Sequence, residues 1–416
     1  MTGSFTIGRF DRGFFVRLAD WLAVAVAIAL PWSTSAAGIC IAAWLVVLLP
    51  SLDLPAVRRE LATAAGGFPV ALWCLGVLGM FWADVGWHER LAGLGSFHRL
   101  LAIPLLLAQF RRSGNGNWVV CGFFVSSVAV LMTSFALALM APAWWKGVPG
   151  VPAHDSIFQG SEFVICGFGA LGYAALSSEQ TAWRKRAMAF ILGVLFLANF
   201  AFAMTSRIAL VIAPLMFLLL GWRLFRWKGL LSASILAVLI AAATWFASPV
   251  LRGRIEYSVK ELQDYRAADQ ATSIGEHLAF LNESLRIIAS APLIGHGTGS
   301  IPEEFRRVTT GQTGVSGLAT VNPHNQTFAV AIQLGVLGAI VLWVMWLAHL
   351  ALFRGESVTA WLGLVAVIEN LISSLVHTHL FDFANGWLYV FAVGVLGGTI
   401  LRERTSSSPK FRAMNM

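Results

Sequence analysis

Long apolar runs separated by short polar breaks dominate the chain. Their lengths suit membrane spans, since a helix needs about 20 apolar residues to cross a bilayer core. Twelve such segments lie near residues 18–34, 36–50, 67–82, 98–110, 117–141, 163–178, 187–204, 206–222, 229–247, 327–352, 357–376 and 384–401. One long polar interval, residues 248–326, divides the ninth from the tenth. The pattern predicts an all-α polytopic membrane protein of about 12 transmembrane helices with one large loop between helices 9 and 10. Three regions follow: 1–247 with helices 1–9, 248–326 as a loop domain, and 327–416 with helices 10–12 and a tail. No internal repeat is visible.

Composition agrees with that pattern. The chain has 416 residues, 57% hydrophobic and only 12% charged, where soluble proteins carry about 25% charged residues. The net charge of +8 comes from clusters at one set of helix ends, so it does not point to nucleic acid. Arg9, Arg12, Arg17, Arg58, Arg59, Arg111, Arg112, Arg184, Lys185, Arg186, Arg223, Arg226, Lys228, Arg354, Arg402, Arg404, Lys410 and Arg412 fall on one side. Arg90, Arg99, Lys146 and Arg207 fall on the other. Cytoplasmic loops are the Lys/Arg-rich ones. Both termini are therefore expected in the cytoplasm and the large loop outside, in the periplasm or beyond. The basic residues before the first apolar run suggest a signal peptide, but no clear cleavage site follows, and the run reads as a retained helix. Cys40, Cys74, Cys121 and Cys166 all sit in apolar runs without a CxxC spacing, which suits packing rather than a disulfide framework or metal site. Trp32, Trp82, Trp87, Trp144, Trp145, Trp222 and Trp227 fall near segment ends, as an interfacial aromatic belt requires.

Within the polar interval, Arg252 to Asp269 is a mixed-charge stretch. His277 to Ser290 is amphipathic, with Leu278, Leu281, Leu285 and Ile288 at helical spacing. Pro292 to Gly299 stops that helix, and a Gly/Thr/Ser-rich stretch read as flexible runs to Thr320. So long a loop between membrane helices is more often functional than idle.

Candidate chemistry gathers at the loop's edges. Asn322-Pro-His-Asn325 precedes the tenth apolar run, with Gly335 and Gly338 beyond it. A neutral imidazole at His324, with an ordinary pKa near 6.5, could take a proton from an attacking hydroxyl; its plainer role is a helix-start residue. Asn325 could orient it or bind substrate. Arg207 opens an apolar segment at the outer boundary, where a guanidinium suits a lipid-linked diphosphate or simply snorkels. His277 and Arg286 are further cationic candidates, about 2.5 turns apart and so on different faces. Gly295-His-Gly-Thr-Gly299 has a phosphate-loop look but follows a helix rather than a strand. The sequons at Asn282 and Asn325 are short enough for chance. Glu369 and Asn370, inside an apolar run, suit function or helix-to-helix bonding. His377, His379 and Asp382 give a metal only weak support.

These residues resemble the bacterial O-antigen ligase and polymerase superfamily, GT-C-like membrane glycosyltransferases. The resemblance lies in His324-Asn325 followed by Gly335-x-x-Gly338, in Thr205-Ser206-Arg207 opening a span, in Ser273-x-Gly275 at a helix start, and in Pro292 to Gly299. It is strongest over about 200–400. The family transfers a finished glycan from undecaprenyl diphosphate; its ligases use lipid A-core oligosaccharide as acceptor and make lipopolysaccharide. The resemblance implies the bacterial inner membrane, a periplasmic active site, inversion at the anomeric carbon, and no nucleotide sugar, cofactor or metal. It implies His324 as the catalytic base or positioning group, Arg207 on the diphosphate, and Ser206 and Asn325 as substrate-orienting. The family usually has a second arginine soon after the Ser-x-Gly; here His277 stands there. A protonated His277, Arg286, or Arg207 alone is expected to serve.

The rival readings are an O-antigen polymerase or a protein O-oligosaccharyltransferase and, from another class, a lipid-linked glycan transporter. A transporter would show two similar halves and polar residues at the midplane. Here the candidates gather at one boundary.

Overall fold

The computed structural model describes residues 12–140, 145–204, 206–268 and 272–406. Arg9, Trp144, Thr205, Asp269, Lys410 and Arg412, singled out in the sequence, lie outside them. Among the described residues the regular structure is helical and no strand occurs. The helices are α1 (Arg12–Ala29), α2 (Thr34–Ser51), α3 (Leu54–Leu61), α4 (Ala64–Gly79), α5 (Trp87–Gly95), α6 (Ala102–Arg112), α7 (Gly116–Met140), α8 (Ser156–Leu176) and α9 (Trp183–Phe202). They continue as α10 (Arg207–Ala247), α11 (Pro249–Ala268), α12 (Ser273–Ser290), α13 (Ile301–Thr309), α14 (Gln326–Leu352), α15 (Val358–Ser373), α16 (Phe383–Phe391) and α17 (Gly397–Ser406).

The helix starts are written locally. Ser33, Asp53, Thr63, Asp155, Ser206, Thr272, Asn325, Ser357 and Asp382 each accept a hydrogen bond from a backbone N–H of the first turn. Each such cap is worth about 1 kcal/mol. Apolar faces then pack into two main cores. One joins α1, α2, α4, α6, α14, α16 and α17 around Trp44, Phe97, Phe110, Trp346 and Tyr389. The other joins α7, α8, α9, α10 and α15 around Phe163, Phe168, Phe196, Met216 and Trp361.

Among the described residues, six helices are long and apolar enough to cross a membrane, and up to eight spans result if α3 with α4 and α5 with His98–Arg112 each count as one bent span. By length and composition this is a multi-pass membrane protein, with fewer qualifying spans than the twelve the hydropathy predicts. The difference has physical reasons. α15 is only 16 residues long, and α8 buries Gln159, Ser161 and Glu162. The 41-residue α10 holds two predicted segments and turns back at Phe225 and Arg226, where Arg226 has φ 54°. A Cβ on Gly221 would stand 2.6 Å from that of Ala233, whereas a straight helix would part these residues by ~18 Å.

The polar interval is more ordered than its composition predicts. The mixed-charge stretch is helix α11, and the amphipathic helix begins at Ser273 because Thr272 caps it through Gly275 N–H. Leu278, Leu281 and Leu285 face outward, while Ala279, Phe280, Ser284 and Ile287 are buried. The stretch read as flexible contains α13, with Pro302 in its first turn, Glu303 and Glu304 near its N-terminus and Arg306 and Arg307 near its C-terminus. That charge order complements the helix dipole. Phe280, Ile287, Ile301, Phe305, Ala329 and Ile332 form a third core. It fastens α12 and α13 to the first turns of α14.

Candidate active site

His324 stands one residue before the cap of α14, in the left-handed region with φ 51°. Such a conformation in a non-glycine residue costs of order 1–3 kcal/mol and persists where neighbours dictate it. Asn322 does so: its Oδ1 accepts from His324 N–H at 2.9 Å and from the Thr378 hydroxyl at 2.9 Å. Asn325 Oδ1 caps α14 through Phe328 N–H at 3.0 Å, and its Nδ2 donates to Leu375 O at 2.8 Å. Gln326 N–H donates to Ser374 O, and Gln326 Oε1 accepts from Leu380 N–H. These bonds draw the 374–380 connection, with His377, against the start of α14.

The result is a cluster of imidazoles. The ring of His324 lies 4.3 Å from that of His277 and 5.3 Å from that of His377, centroid to centroid, and stacks on Phe280 at 5.9 Å. His379 follows, 5.3 Å from His377. His324 Nδ1 and His377 Nδ1 are buried without a hydrogen-bond partner. Burial first, then repulsion from His277 and His377, lowers the His324 pKa from 6.5 to about 4. His324 is therefore not a group that titrates near neutrality in the unliganded protein; it is neutral there. His277 is also lowered, by burial, then His377, then Arg207, against the opposing pull of Glu261. A protonated His277 standing in for an arginine at neutral pH is thus disfavoured.

The influence of Arg207 on His277 marks the neighbouring charged site. Arg207 opens α10 behind the Ser206 cap, donates to Glu261 Oε2 on α11, and donates to Ser273 Oγ at 3.3 Å. A cavity of about 320 Å³ lies beside it, lined by Arg207, Leu210, Arg254, Ile255, Leu262 and Ile274 among others. A second, more polar cleft of about 470 Å³ reaches the histidine cluster at His377, Asn322 and Thr378, with Glu89, Gln333 and Asp382 on its wall.

The glycine-rich turn has a different job from phosphate binding. α14 breaks at Gly335, which has φ 63°. The break separates the carbonyls of Ile332 and Gln333 from their helical donors, Val336 and Leu337 N–H. The turn supplies replacements for both sets: His296 and Gly297 N–H donate to Ile332 O and Gln333 O, while Val336 and Leu337 N–H donate to Pro292 O and Leu293 O. A Cβ on Gly335 would meet Leu293 O at 2.2 Å. Gly299 N–H donates to Gln333 Oε1, and Thr298 is bonded to the carbonyls of Gly76 and Gly79. The backbone N–H groups a phosphate would need are already committed.

Of the residues picked from the sequence, His324, His277 and Arg207 converge. Arg286 does not: it pairs with Glu283 at 3.3 Å, is 65% exposed, and lies half a helical circuit from His277. Asn325 and Ser206, expected to orient substrate, cap α14 and α10 through Oδ1 and Oγ, and Asn325 Nδ2 also donates to Leu375 O. Glu369 accepts from Ser373 within its own helix. No group of three His, Cys, Asp or Glu able to hold a metal occurs among the described residues. Sequence reasoning quoted Asn322 without giving it a role and missed Phe280, Glu261 and Arg254. The last two sat in a mixed-charge stretch with nothing to mark them, and His377 was visible only as a metal candidate.

The fold defines a multi-pass membrane protein by length and composition, with a histidine cluster and an arginine cavity side by side at the end of its apolar helices. Residues 192–343 match the family described as O-antigen ligase. That match supports an O-antigen ligase family assignment for the segment it covers. It runs from α9 into α14 and so contains Arg207, His277 and His324. No curated protein matches the chain.

Proposed function

We propose that this protein is an O-antigen ligase of the bacterial inner membrane. It transfers a finished polysaccharide from undecaprenyl diphosphate to lipid A-core oligosaccharide at the periplasmic face. The observation that carries this reading is a neutral His324, its Nδ1 buried and unpartnered, against His277, which in turn feels the charge of Arg207, all within the family-matched segment. The acceptor hydroxyl attacks the anomeric carbon, its oxygen forming the new glycosidic bond. The bond to the diphosphate oxygen breaks with its electron pair, so undecaprenyl diphosphate leaves. The hydroxyl proton goes to His324, and attack opposite the leaving group inverts the centre.

A group with a pKa of about 4 is a weak base. The donor itself corrects that, because the charge of a diphosphate near His277 and Arg207 favours protonated imidazole. Arg207 stabilises the charge that grows on the leaving diphosphate, which a preorganised donor does best away from water. The cleft at His377 and Asn322 suits the polar acceptor sugar.

The test is transfer by the purified protein, supplied with undecaprenyl diphosphate-linked glycan and lipid A-core, with EDTA and without nucleotides. Wild type should form a product ladder that His324→Ala and Arg207→Ala do not. Elongation of the carrier-linked glycan without transfer to lipid A-core would make the protein a polymerase. No reaction of any kind would return the transporter reading.

A further inference from the structure

We propose that Arg254 is the second guanidinium of the lipid-diphosphate site, holding one phosphate while Arg207 holds the other. This rests on the reading that the chain acts on a lipid-linked diphosphate. Both arginines line the same cavity of about 320 Å³, between α10, α11 and the first turn of α12. The Nε of Arg207 and the Nε of Arg254 are each buried without a hydrogen-bond partner. A buried donor in that condition is unfavourable until an acceptor reaches it. Arg207 is paired with Glu261 and Ser273. Arg254 forms no ion pair among the described residues, and its ring contact is Tyr257 at 5.9 Å.

Two guanidiniums and one carboxylate leave this site cationic. Burial, then the positive charge of Arg207, lowers the Arg254 pKa, while Glu261 and Tyr257 pull it upward. The two cations that line this cavity thus repel each other. A diphosphate suits such a pair, because its two phosphates share one bridging oxygen and each can receive a guanidinium fork. A monophosphate can satisfy only one fork fully. The remaining wall is apolar, with Leu210, Ile255, Leu262 and Ile274. Free pyrophosphate gains nothing from that wall, whereas the first isoprene units of a lipid carrier bury against it. The assignment also resolves the departure at His277: the second cation comes from α11, one helix earlier than the position the resemblance points to.

The protein, purified whole into nanodiscs, is tested for binding of undecaprenyl diphosphate, undecaprenyl monophosphate and inorganic pyrophosphate by native mass spectrometry. Wild type should prefer the lipid diphosphate over the monophosphate by tenfold or more and bind pyrophosphate weakly. Arg254→Gln should lose at least tenfold in affinity for the diphosphate and most of that preference, and Arg254→Lys should recover part of both. Unchanged affinity and preference in Arg254→Gln would overturn the assignment, and pyrophosphate binding as tight as the lipid's would overturn its lipid-borne part. Should Arg254→Gln not fold, Ser258→Trp, which fills the same cavity, must weaken binding of both lipids; unchanged binding sinks the proposal. If binding and preference hold but no glycan is transferred, the ligase reading falls and Arg254 stands. If Arg254→Gln transfers glycan with an unchanged donor KM, the reverse is true.

Discussion

The histidine cluster and the arginine cavity are neighbours built on opposite electrostatics. Around His324 the partners are other imidazoles and Phe280, so burial keeps every ring neutral. Around Arg207 the partners are charged or hydroxylic, and burial leaves the Nε of Arg207 and of Arg254 in want of a bond. The contrast teaches a division of labour. A proton acceptor must be uncharged before the reaction, and an anion holder must be charged throughout. One pocket cannot favour both states, so the chain draws them from different helices and lets the ligand's charge couple them.

The sharpest way to break the comparison is to remove the acceptor. His324→Ala should reduce kcat for glycan transfer by about 10²–10⁴-fold, the usual range for a positioned general base. Its binding of undecaprenyl diphosphate should stay near wild type. A loss of binding equal to the loss of rate would show that the two sites are one. The pH profile examines the same residue. With His324 at about 4 rather than 6.5, the acid limb of kcat/KM should fall well below pH 6.5; a limb at or above 6.5 contradicts the apolar setting. The sign also fixes stability. Below pH 6.5 the unfolded chain takes up protons that the fold refuses until about pH 4, so stability falls as pH drops through that window. His277 and His377, also lowered, add in the same direction.

Next in size is the scaffold that holds both sites. Gly335→Ala places a Cβ against Leu293 O in a left-handed backbone. It should cost at least about 1–2 kcal/mol and lower the melting temperature of the detergent-solubilised protein. An unchanged melt would mean that the break in α14 does not need glycine. Glu261→Gln acts on the arginine side alone. Freed from its carboxylate, Arg207 should bind the diphosphate several-fold more tightly, read as a lower donor KM with kcat little changed. A raised KM would make Glu261 a positioning residue instead. Arg286→Ala should do least, changing transfer by under twofold, because an exposed pair is worth about 0–1 kcal/mol. A large loss would return Arg286 to the site.

How much of this was legible in the sequence depended on whether the signal was local. The helical period around His277 and the apolar lengths are properties of neighbouring residues, and they predicted helices; the caps at Ser206, Thr272 and Asn325 are equally local but were not read as caps. His324 and Arg207 were readable because each stands where a polar segment meets an apolar one. The meeting of His324 with His377 was not, since it depends on Gln326 reaching across to the chain at 374–380. Nor was the partner of Arg207, because Glu261 looks like any other acid in a charged helix until α11 folds beside α10. The glycine-rich turn misled for a related reason. Gly295 and Gly299 mark backbone that must approach something closely, and sequence alone does not say whether that is a phosphate or another stretch of chain.

The break at Gly335 has a mechanical side. The half of α14 before it, Gln326 to Leu334, packs under α12 and α13, and the half after it runs on among the apolar helices. The glycine-rich turn bonds to both, through Ile332 O and Gln333 O on one side and Val336 and Leu337 N–H on the other. The joint is therefore a clamped corner rather than a loose hinge. The short helix that carries His324 at its start takes its direction from that corner.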